Sequence, residues 1–372
     1  MYSFGVTCAP YAPGRPLRRR GSPMPEVVYV GLDVHRKSVV ANVKNREGRV
    51  LHKARLSGRG EDLTAYLMAL PGEKHVVLEA CVVWEHLHRA ALRATPHVVL
   101  ANPKRTRLIA EATLKTDAVD AAALSELIRL NAVPLAYAAD EETLRLRALT
   151  RDRLYYRELE TSVKNHTYAV LLRKGIEYPD GILGKKRIRE TLRGLFPEVD
   201  RGIDALLDLE RRCKALDAAV HEAFLTNHEA QLLYSIPGVG ELTALTLVAE
   251  LCPITRFSNI EKVASYCGLV PTVSQSGERS YYGRMKKTDA NIRLKTLLVE
   301  AAWTHRRHAE KNSPVKRIAR RVAKRAGSTK AAGAAAHKLL RIVYAVLRRG
   351  TPYIPEQTSH VDFAAKPPGA VA

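Results

Sequence analysis

Three β-prone runs in quick succession, Val27 to Asp33, Ser38 to Val43 and Arg49 to Leu56, commit the start of the chain to a three-strand meander with Asn45-Arg46-Glu47-Gly48 as its second turn. The pattern then alternates. Glu61 to Leu70 has the spacing of an amphipathic helix, His75 to Leu78 reads as a buried strand, Trp84 to Ala94 as a helix and His97 to Leu100 as a strand. A basic segment, Asn102 to Arg107, leads to the Ala/Leu-rich run that begins at Lys115 and predicts another helix. The order β-β-β-α-β-α-β-α restricts residues 27–139 to an α/β domain with helices packed on a sheet.

Acids fall at informative places in that order. Asp33 closes the first strand, Glu79 closes the fourth, and Asp117 and Asp120 stand three apart on the last helix, where positions i and i+3 share a face. Strand ends of one sheet and a helix beside them bring distant residues together. Carboxylates held side by side repel unless a cation, a proton or water relieves them, and a divalent metal gives relief that also does chemistry. Read singly, Asp33 is also compatible with a turn acid, Glu79 with a helix start, and the aspartate pair with an exposed first turn favoured by the helix dipole.

Charge narrows the partner. The 372 residues carry 60 Lys and Arg against 38 Asp and Glu, a net charge of +22, which calls for a polyanion. No apolar run approaches the roughly 18 residues of a membrane span, so nucleic acid is preferred to membrane. Cys8, Cys81, Cys213, Cys252 and Cys267 are scattered and odd in number, as for reduced thiols of a cytoplasmic protein. Residues 1–26, with Arg15, Arg18, Arg19 and Arg20 among Pro and Gly, read as a disordered basic arm, and Met24 is an alternative start.

Residues 140–230 read as a helical, coiled-coil segment. Leu149, Tyr156, Val163 and Val170 recur every seven residues, and Leu206, Leu209, Cys213, Leu216 and Val220 step by three and four, so the two seams suit an antiparallel hairpin or a dimer. Arg151, Arg153, Arg157 and Lys164 line the first helix, either as a solvated surface or as a groove for a nucleic-acid backbone. In residues 231–350, Ile236-Pro237-Gly238-Val239-Gly240 is a tight turn opening an apolar helix, and Gly238 and Gly240 there suit a phosphate or simply a helix–helix turn. A polar loop, Thr272 to Ser280, and a basic Ala-rich segment, Lys316 to Arg349, follow, and residues 351–372 read as a disordered tail.

Gly31-Leu32-Asp33-Val34-His35, Leu78-Glu79-Ala80 and Lys115-Thr116-Asp117-Ala118-Val119-Asp120-Ala121 resemble the amino-terminal half of the DEDD transposases of bacterial insertion sequences. Ile236 to Gly240 and Gly268-Leu269-Val270-Pro271 to Ser276-Gly277 resemble that family's separate carboxy-terminal transposase domain. The family is also called the bridge-RNA-guided recombinases. The resemblance implies a ribonuclease H-like (RuvC-like) domain holding Mg²⁺ on Asp33, Glu79, Asp117 and Asp120, a coiled-coil dimerisation and RNA-binding segment at 140–230, and a mainly helical domain with a helix-hairpin-helix-like turn. It further implies a catalytic serine that bonds covalently to DNA, aligned with Ser276, and a bridge RNA pairing with donor and target DNA. The protein would be a dimer or tetramer, cytoplasmic and nucleoid-associated. Ala118 stands where the family often has Arg, and Gln275-Ser276 where it often has two serines.

These readings combine into a composite site in which Ser276 attacks a DNA phosphate, the acids supply the ion, and Arg279, Arg284, Lys286 and Lys287 hold the backbone, with Lys104 and Arg105 as further contacts. Tyr281 and Tyr282 are rival nucleophiles. The alternatives from other classes are a metal-dependent junction nuclease using an activated water, and a non-enzymatic nucleic-acid-binding protein.

Overall fold

The computed structural model describes residues 27–109, 117–179, 181–276, 279–285 and 290–355. The chain packs as two compact units, one ending at Ala138 and the other beginning at Ala139. The basic arm, residues 1–26, lies outside the described residues.

In the first unit, β1 (Val27–Val34), β2 (Ser38–Lys44) and β3 (Val50–Ser57) form the expected meander. They are followed by α1 (Gly60–Ala69), β4 (Glu73–Glu79), α2 (Trp84–Leu92), β5 (Val98–Ala101), α3 (Pro103–Ile109), α4 (Asp117–Arg129) and β6 (Leu135–Ala136). One sheet results, in the order β3-β2-β1-β4-β5-β6, with β1, β4 and β5 parallel and the remaining pairs antiparallel. Period-two alternation sorts its side chains. Val28, Val30, Leu32, Val76 and Leu78 are buried on one face with Leu63, Leu67 and Leu87 of α1 and α2. Tyr29, Gly31 and Asp33 of β1 and Val77 and Glu79 of β4 belong to the other face, where Leu124 of α4 packs on Val77 and Ala101.

One local reading changes. The basic segment after Asn102 is a helix, because the Asn102 side chain accepts the N–H groups of Lys104 and Arg105 at 3.2 and 3.3 Å and so caps it. Glu79 is the last residue of β4, level with Ala101 of β5, at the strand tip expected for it.

The second unit consists of α5 (Glu141–Arg173), α6 (Lys186–Leu192), α7 (Pro197–Thr226), α8 (His228–Tyr234), α9 (Glu241–Leu251), α10 (Ile260–Tyr266), β7 (Pro271–Ser276), β8 (Arg279–Met285), α11 (Ile292–His308), α12 (Pro314–Ala326) and α13 (Ser328–Arg349). The carboxylate of Asp140 caps α5 by accepting the Thr143 N–H at 2.7 Å. The helices α5 and α7 run antiparallel: Arg153 meets Asp217 at 2.7 Å, Arg212 lies over the Tyr156 ring, and Thr167 presses on Gly202. A Cβ at Gly202 would come within 2.1 Å of Thr167 Oγ1, so only glycine admits this approach. The two apolar seams thus partner each other within the chain, the hairpin alternative of the sequence reading.

The main core of this unit gathers Leu245 and Leu247 of α9, Val263 of α10, Leu294 and Leu298 of α11, Val315 of α12 and Leu339 and Leu340 of α13. Leu146 and Leu149 of α5 pack against it, so the helical middle shares one unit with the segment that follows. The expected polar loop is a two-stranded antiparallel hairpin, Ser276 of β7 paired with Arg279 of β8; Gly277 and Glu278 lie outside the described residues. The tail also departs from expectation, because the chain does not leave the fold at 351. Tyr353 is buried, its N–H donates to Ser235 Oγ at 2.8 Å, and its ring stands edge-on to His305. Residues beyond 355 lie outside the description.

Candidate active site

The acids of the first unit are placed by sheet register. In the parallel pair β1–β4, Leu32 is level with Leu78, so Asp33 and Glu79 occupy the next step on adjacent strands and point to the same face. Asp33 is 7 % exposed and Glu79 is half-buried. His35 Nε2 lies 3.0 Å from Asp33 Oδ2 and holds that carboxylate, a role not assigned to His35 from sequence although it sits in the same motif.

The helix α4 lies over this face because Gly31 has no side chain. A Cβ there would stand 2.2 Å from the Ala121 carbonyl oxygen and 2.3 Å from the Ser125 nitrogen. Three further contacts set the helix direction. Ser125 Oγ donates to Asn42 Oδ1 at 2.9 Å, and Asn42 is the register partner of Gly31. One residue on, Glu126 accepts from Lys44 at 2.7 Å, and Lys44 is level with Tyr29. Arg129 then reaches the Arg46 carbonyl at 3.1 Å. The helix therefore runs from the Asp33 end of β1 toward the Tyr29 end, and its first turn lies at the Asp33 and Glu79 end. Asp117 and Asp120 are one turn before Ala121 and Leu124, the residues that meet the sheet. Asp120 is half-buried; Asp117 is the first residue of α4, and its side chain, like Lys115 and Thr116, lies outside the described part.

Asp33, Glu79 and Asp120 would offer carboxylate oxygens, which suit a hard divalent cation, but these three do not bring their ligand atoms within 4.8 Å of one another in this structure. The Glu126 carboxyl, bonded by Arg129 and Lys44, is held down at about 2, so it stays ionised as an anchor rather than a proton carrier. A separate group of metal-ligand type, Glu73, His75 and His97, sits at the opposite end of β4, about 20 Å away along the strand. Both imidazoles there bring Nε2 to one Glu73 oxygen, at 2.9 and 3.0 Å, and the His75 bond holds that carboxyl below the usual range.

In the second unit, Ser276 ends β7. Arg279 and Arg284 lie on β8, with side chains outside the description, and Lys286 and Lys287 lie outside the described residues. The base of this hairpin is fixed by a buried carboxylate that sequence reading missed. Glu250, 1 % exposed, accepts from Arg151 at 2.7 Å, from Asn291 at 3.1 Å and from the Tyr266 hydroxyl at 3.4 Å. Tyr266 precedes the hairpin and Asn291 follows it. In the Pro237-Gly238-Val239-Gly240 turn, Gly238 has φ +89° and a Cβ there would meet the His305 nitrogen at 2.4 Å, so close packing on α11 requires this glycine. Gly240 is exposed at the start of α9 with nothing near its Cβ position.

The α5 cations expected to face nucleic acid are engaged at home. Arg151 binds Glu250, Arg153 binds Asp217 with two bonds at 2.7 and 3.1 Å, Arg157 lies 3.2 Å from Glu300, and Lys164 binds Glu160. Lys104 and Arg105 are exposed on α3.

Comparison with known proteins agrees with this arrangement. A family model described as Transposase, of the DEDD type, matches residues 30–175, and one described as Transposase IS116/IS110/IS902 family matches residues 230–316. The transposase for insertion sequence element IS1111A of Coxiella burnetii is 25% identical over 355 residues, covering 90% of this chain and 94% of that one. The transposase for insertion sequence element IS1328 of Yersinia enterocolitica is 28% identical over 347 residues, covering 89% and 99%. The pilin gene-inverting protein of Moraxella bovis is 26% identical, covering 75% of this chain and 81% of its own. Members of this family cut and rejoin DNA, their DEDD domain is ribonuclease H-like, and they typically use a divalent metal. With the acid motif on its sheet and the glycine turn and hairpin in its second unit, this chain belongs to the IS110 family of DEDD transposases.

Proposed function

We propose that this transposase cleaves DNA with the Ser276 hydroxyl as nucleophile, holds Mg²⁺ on Asp33, Glu79, Asp117 and Asp120, and is guided to donor and target by a bridge RNA. The observation that carries the metal reading is the convergence at one sheet end: Asp33 and Glu79 share a face on adjacent strands, and α4 starts at that end. A divalent cation held there would neutralise charge on the phosphoryl oxygens. In the serine step the Oγ–P bond forms as the P–O bond to the leaving strand breaks, and the hydroxyl proton ends on the leaving oxygen. The serine ester conserves the phosphodiester for rejoining, as cutting and rejoining require. Support for Ser276 comes from its place at a hairpin end opposite Arg279, which could hold a phosphate there.

The remaining contacts fall to Lys104, Arg105, Arg279, Arg284, Lys286 and Lys287, with the exposed amide of Gly240 at the start of α9. The net charge of +22 suits DNA and RNA together. The assembly is a homo-oligomer, dimer or tetramer. Among the described residues no helix is long and apolar enough to cross a membrane. The test is to purify the protein with its co-expressed RNA, sequence that RNA, and assay strand cleavage with Mg²⁺ and with EDTA for the wild type and Asp120→Asn. The proposal expects a discrete RNA, cleavage only with Mg²⁺ and loss in the variant; full activity in EDTA contradicts it.

A further inference from the structure

We infer that the exposed face of α12 is a docking surface for the phosphate backbone of duplex DNA. The inference deepens the transposase reading by naming where part of the DNA is held.

Residues 311–355 contain twelve Lys and Arg and no Asp or Glu, between Glu310 and Glu356. The helix α12 sorts this charge by period. Val315, Ile318, Ala319, Val322 and Ala326 recur by three and four, and Val315 and Ala319 are buried in the unit's core. Cations recur in pairs every four residues, at 316/317, 320/321 and 324/325, away from that apolar stripe. Lys316 is engaged, its ammonium donating to the Ala309 carbonyl at 2.5 Å. Arg317, Arg320, Arg321, Lys324 and Arg325 are exposed, and among the described residues no carboxylate pairs with them.

That contrasts with α5, where Arg151, Arg153, Arg157 and Lys164 each meet an acid of the same chain. Like charges four apart on a helix repel. On α12 three such pairs, Arg317–Arg321, Arg320–Lys324 and Arg321–Arg325, go without compensation inside the molecule. A polyanion laid along the face supplies it. The helix is about 20 Å long, and a duplex presents a charge per about 1.7 Å of axis, so several phosphates fall within reach of the five cations.

The location also fits. The side chain of Met285, at the end of β8, abuts Gly333 of α13, where a Cβ would meet it at 2.2 Å, and α13 shares one core with α12. The charged face and the serine hairpin therefore belong to one packed unit. Duplex DNA is favoured over RNA because members of the family cut and rejoin DNA.

The experiment uses the full-length protein and a duplex DNA of unrelated sequence, and reads the slope of log Kobs against log[salt]. The triple variant Arg320→Gln/Arg321→Gln/Lys324→Gln keeps good helix formers. It should weaken binding at least tenfold near physiological salt and flatten the slope by about 2 to 3, because each phosphate left unneutralised takes about 0.9 from it. A charge-matched control, Lys185→Gln/Lys186→Gln/Lys214→Gln, should change the slope by less than about 1. Arg320→Lys/Arg321→Lys should keep the wild-type slope, which separates a missing charge from a misfolded helix. The inference is overturned by an α12 triple variant that matches the control, or by one that releases a duplex RNA of equal length while holding DNA as before. Neither result depends on whether Ser276 forms an adduct, so failure here and failure of the serine reading are distinguishable.

Discussion

Replacing Gly31 by alanine sets a Cβ 2.2 Å from the Ala121 carbonyl oxygen and 2.3 Å from the Ser125 nitrogen, both backbone atoms of α4. Real Cβ atoms essentially never approach closer than 3.0 Å, so strand and helix must part by at least about 0.8 Å. Overpacking of this kind costs about 1–3 kcal/mol, a loss a core of this size tolerates. The functional cost is of comparable size but falls on the rate. The first turn of α4 carries Asp117 and Asp120, and a displacement near 1 Å of groups that position a reacting centre costs about 10²-fold in rate. The assay is strand cleavage of element-end DNA under single-turnover conditions, beside thermal unfolding. The expected result is a folded protein with a Tm lower by several degrees and cleavage reduced about 100-fold. Gly184→Ala is the control, because nothing lies within 4 Å of its Cβ position and its φ is outside the left-handed region. Wild-type cleavage in Gly31→Ala refutes the reasoning that α4 delivers the acids.

Glu126→Gln removes the anchor from Lys44 and Arg129. The folded carboxyl titrates at about 2, below its unfolded value, so its contribution is present above about pH 4.3 and lost as pH falls toward 2. Glu126 is a third exposed, which limits the effect to about 1 kcal/mol, read as a Tm drop at pH 7 that vanishes in acid. Glu250→Gln leaves Arg151 and its neighbours without a buried anion and should cost about 3 kcal/mol, measured by urea unfolding; a loss below about 1 kcal/mol means the network is solvated. Burial holds His305 neutral, with Nδ1–H donating to the Pro237 carbonyl at 2.7 Å and Nε2 facing Ser313 Oγ at 3.2 Å. Its folded pKa lies below the unfolded value, so stability is full above about pH 6.5 and falls as the pH drops below it, with His88 and His337 adding in the same sense. Calorimetry at pH 7.5 and 5.5 should give the lower Tm at 5.5, and an unchanged Tm contradicts the assignment.

The acid order was legible because strands and helices announce themselves by period, and because Asp33 and Glu79 fall at the ends of strand periods while Asp120 falls in the first turn of a helical one. The cause of the convergence was less visible: Gly31 reads as one more small residue until α4 is seen pressing on it. The hairpin around Ser276 was hidden because Pro271 to Ser276 has a single apolar side chain, Val273, so it carries no alternation to mark a strand. Glu250 sits inside an apolar helix, and its partners Arg151, Tyr266 and Asn291 are far away in sequence, so no local pattern could identify it as a bonded carboxylate. The partners of the α5 arginines were hidden in the same way. A run of like charge looks the same in sequence whether its partners are phosphates or the chain's own acids, and Asp217, Glu250 and Glu300 are too distant to be noticed. The charge on α12 could be told apart only by the lack of any acid from 311 to 355.

A serine nucleophile served by the acid cluster leaves a protein–DNA bond that can be trapped. End-labelled element DNA is incubated with the RNA-loaded protein and Mg²⁺, quenched in detergent and resolved on a denaturing gel, and the protease-sensitive adduct is mapped by mass spectrometry. The expected result is an adduct on Ser276 in the wild type, none in Ser276→Ala although that variant still binds DNA and RNA, and none in Asp33→Asn. An adduct surviving in Ser276→Ala, or cleaved strands without any adduct, contradicts it; the second outcome marks a metal-dependent nuclease that uses water.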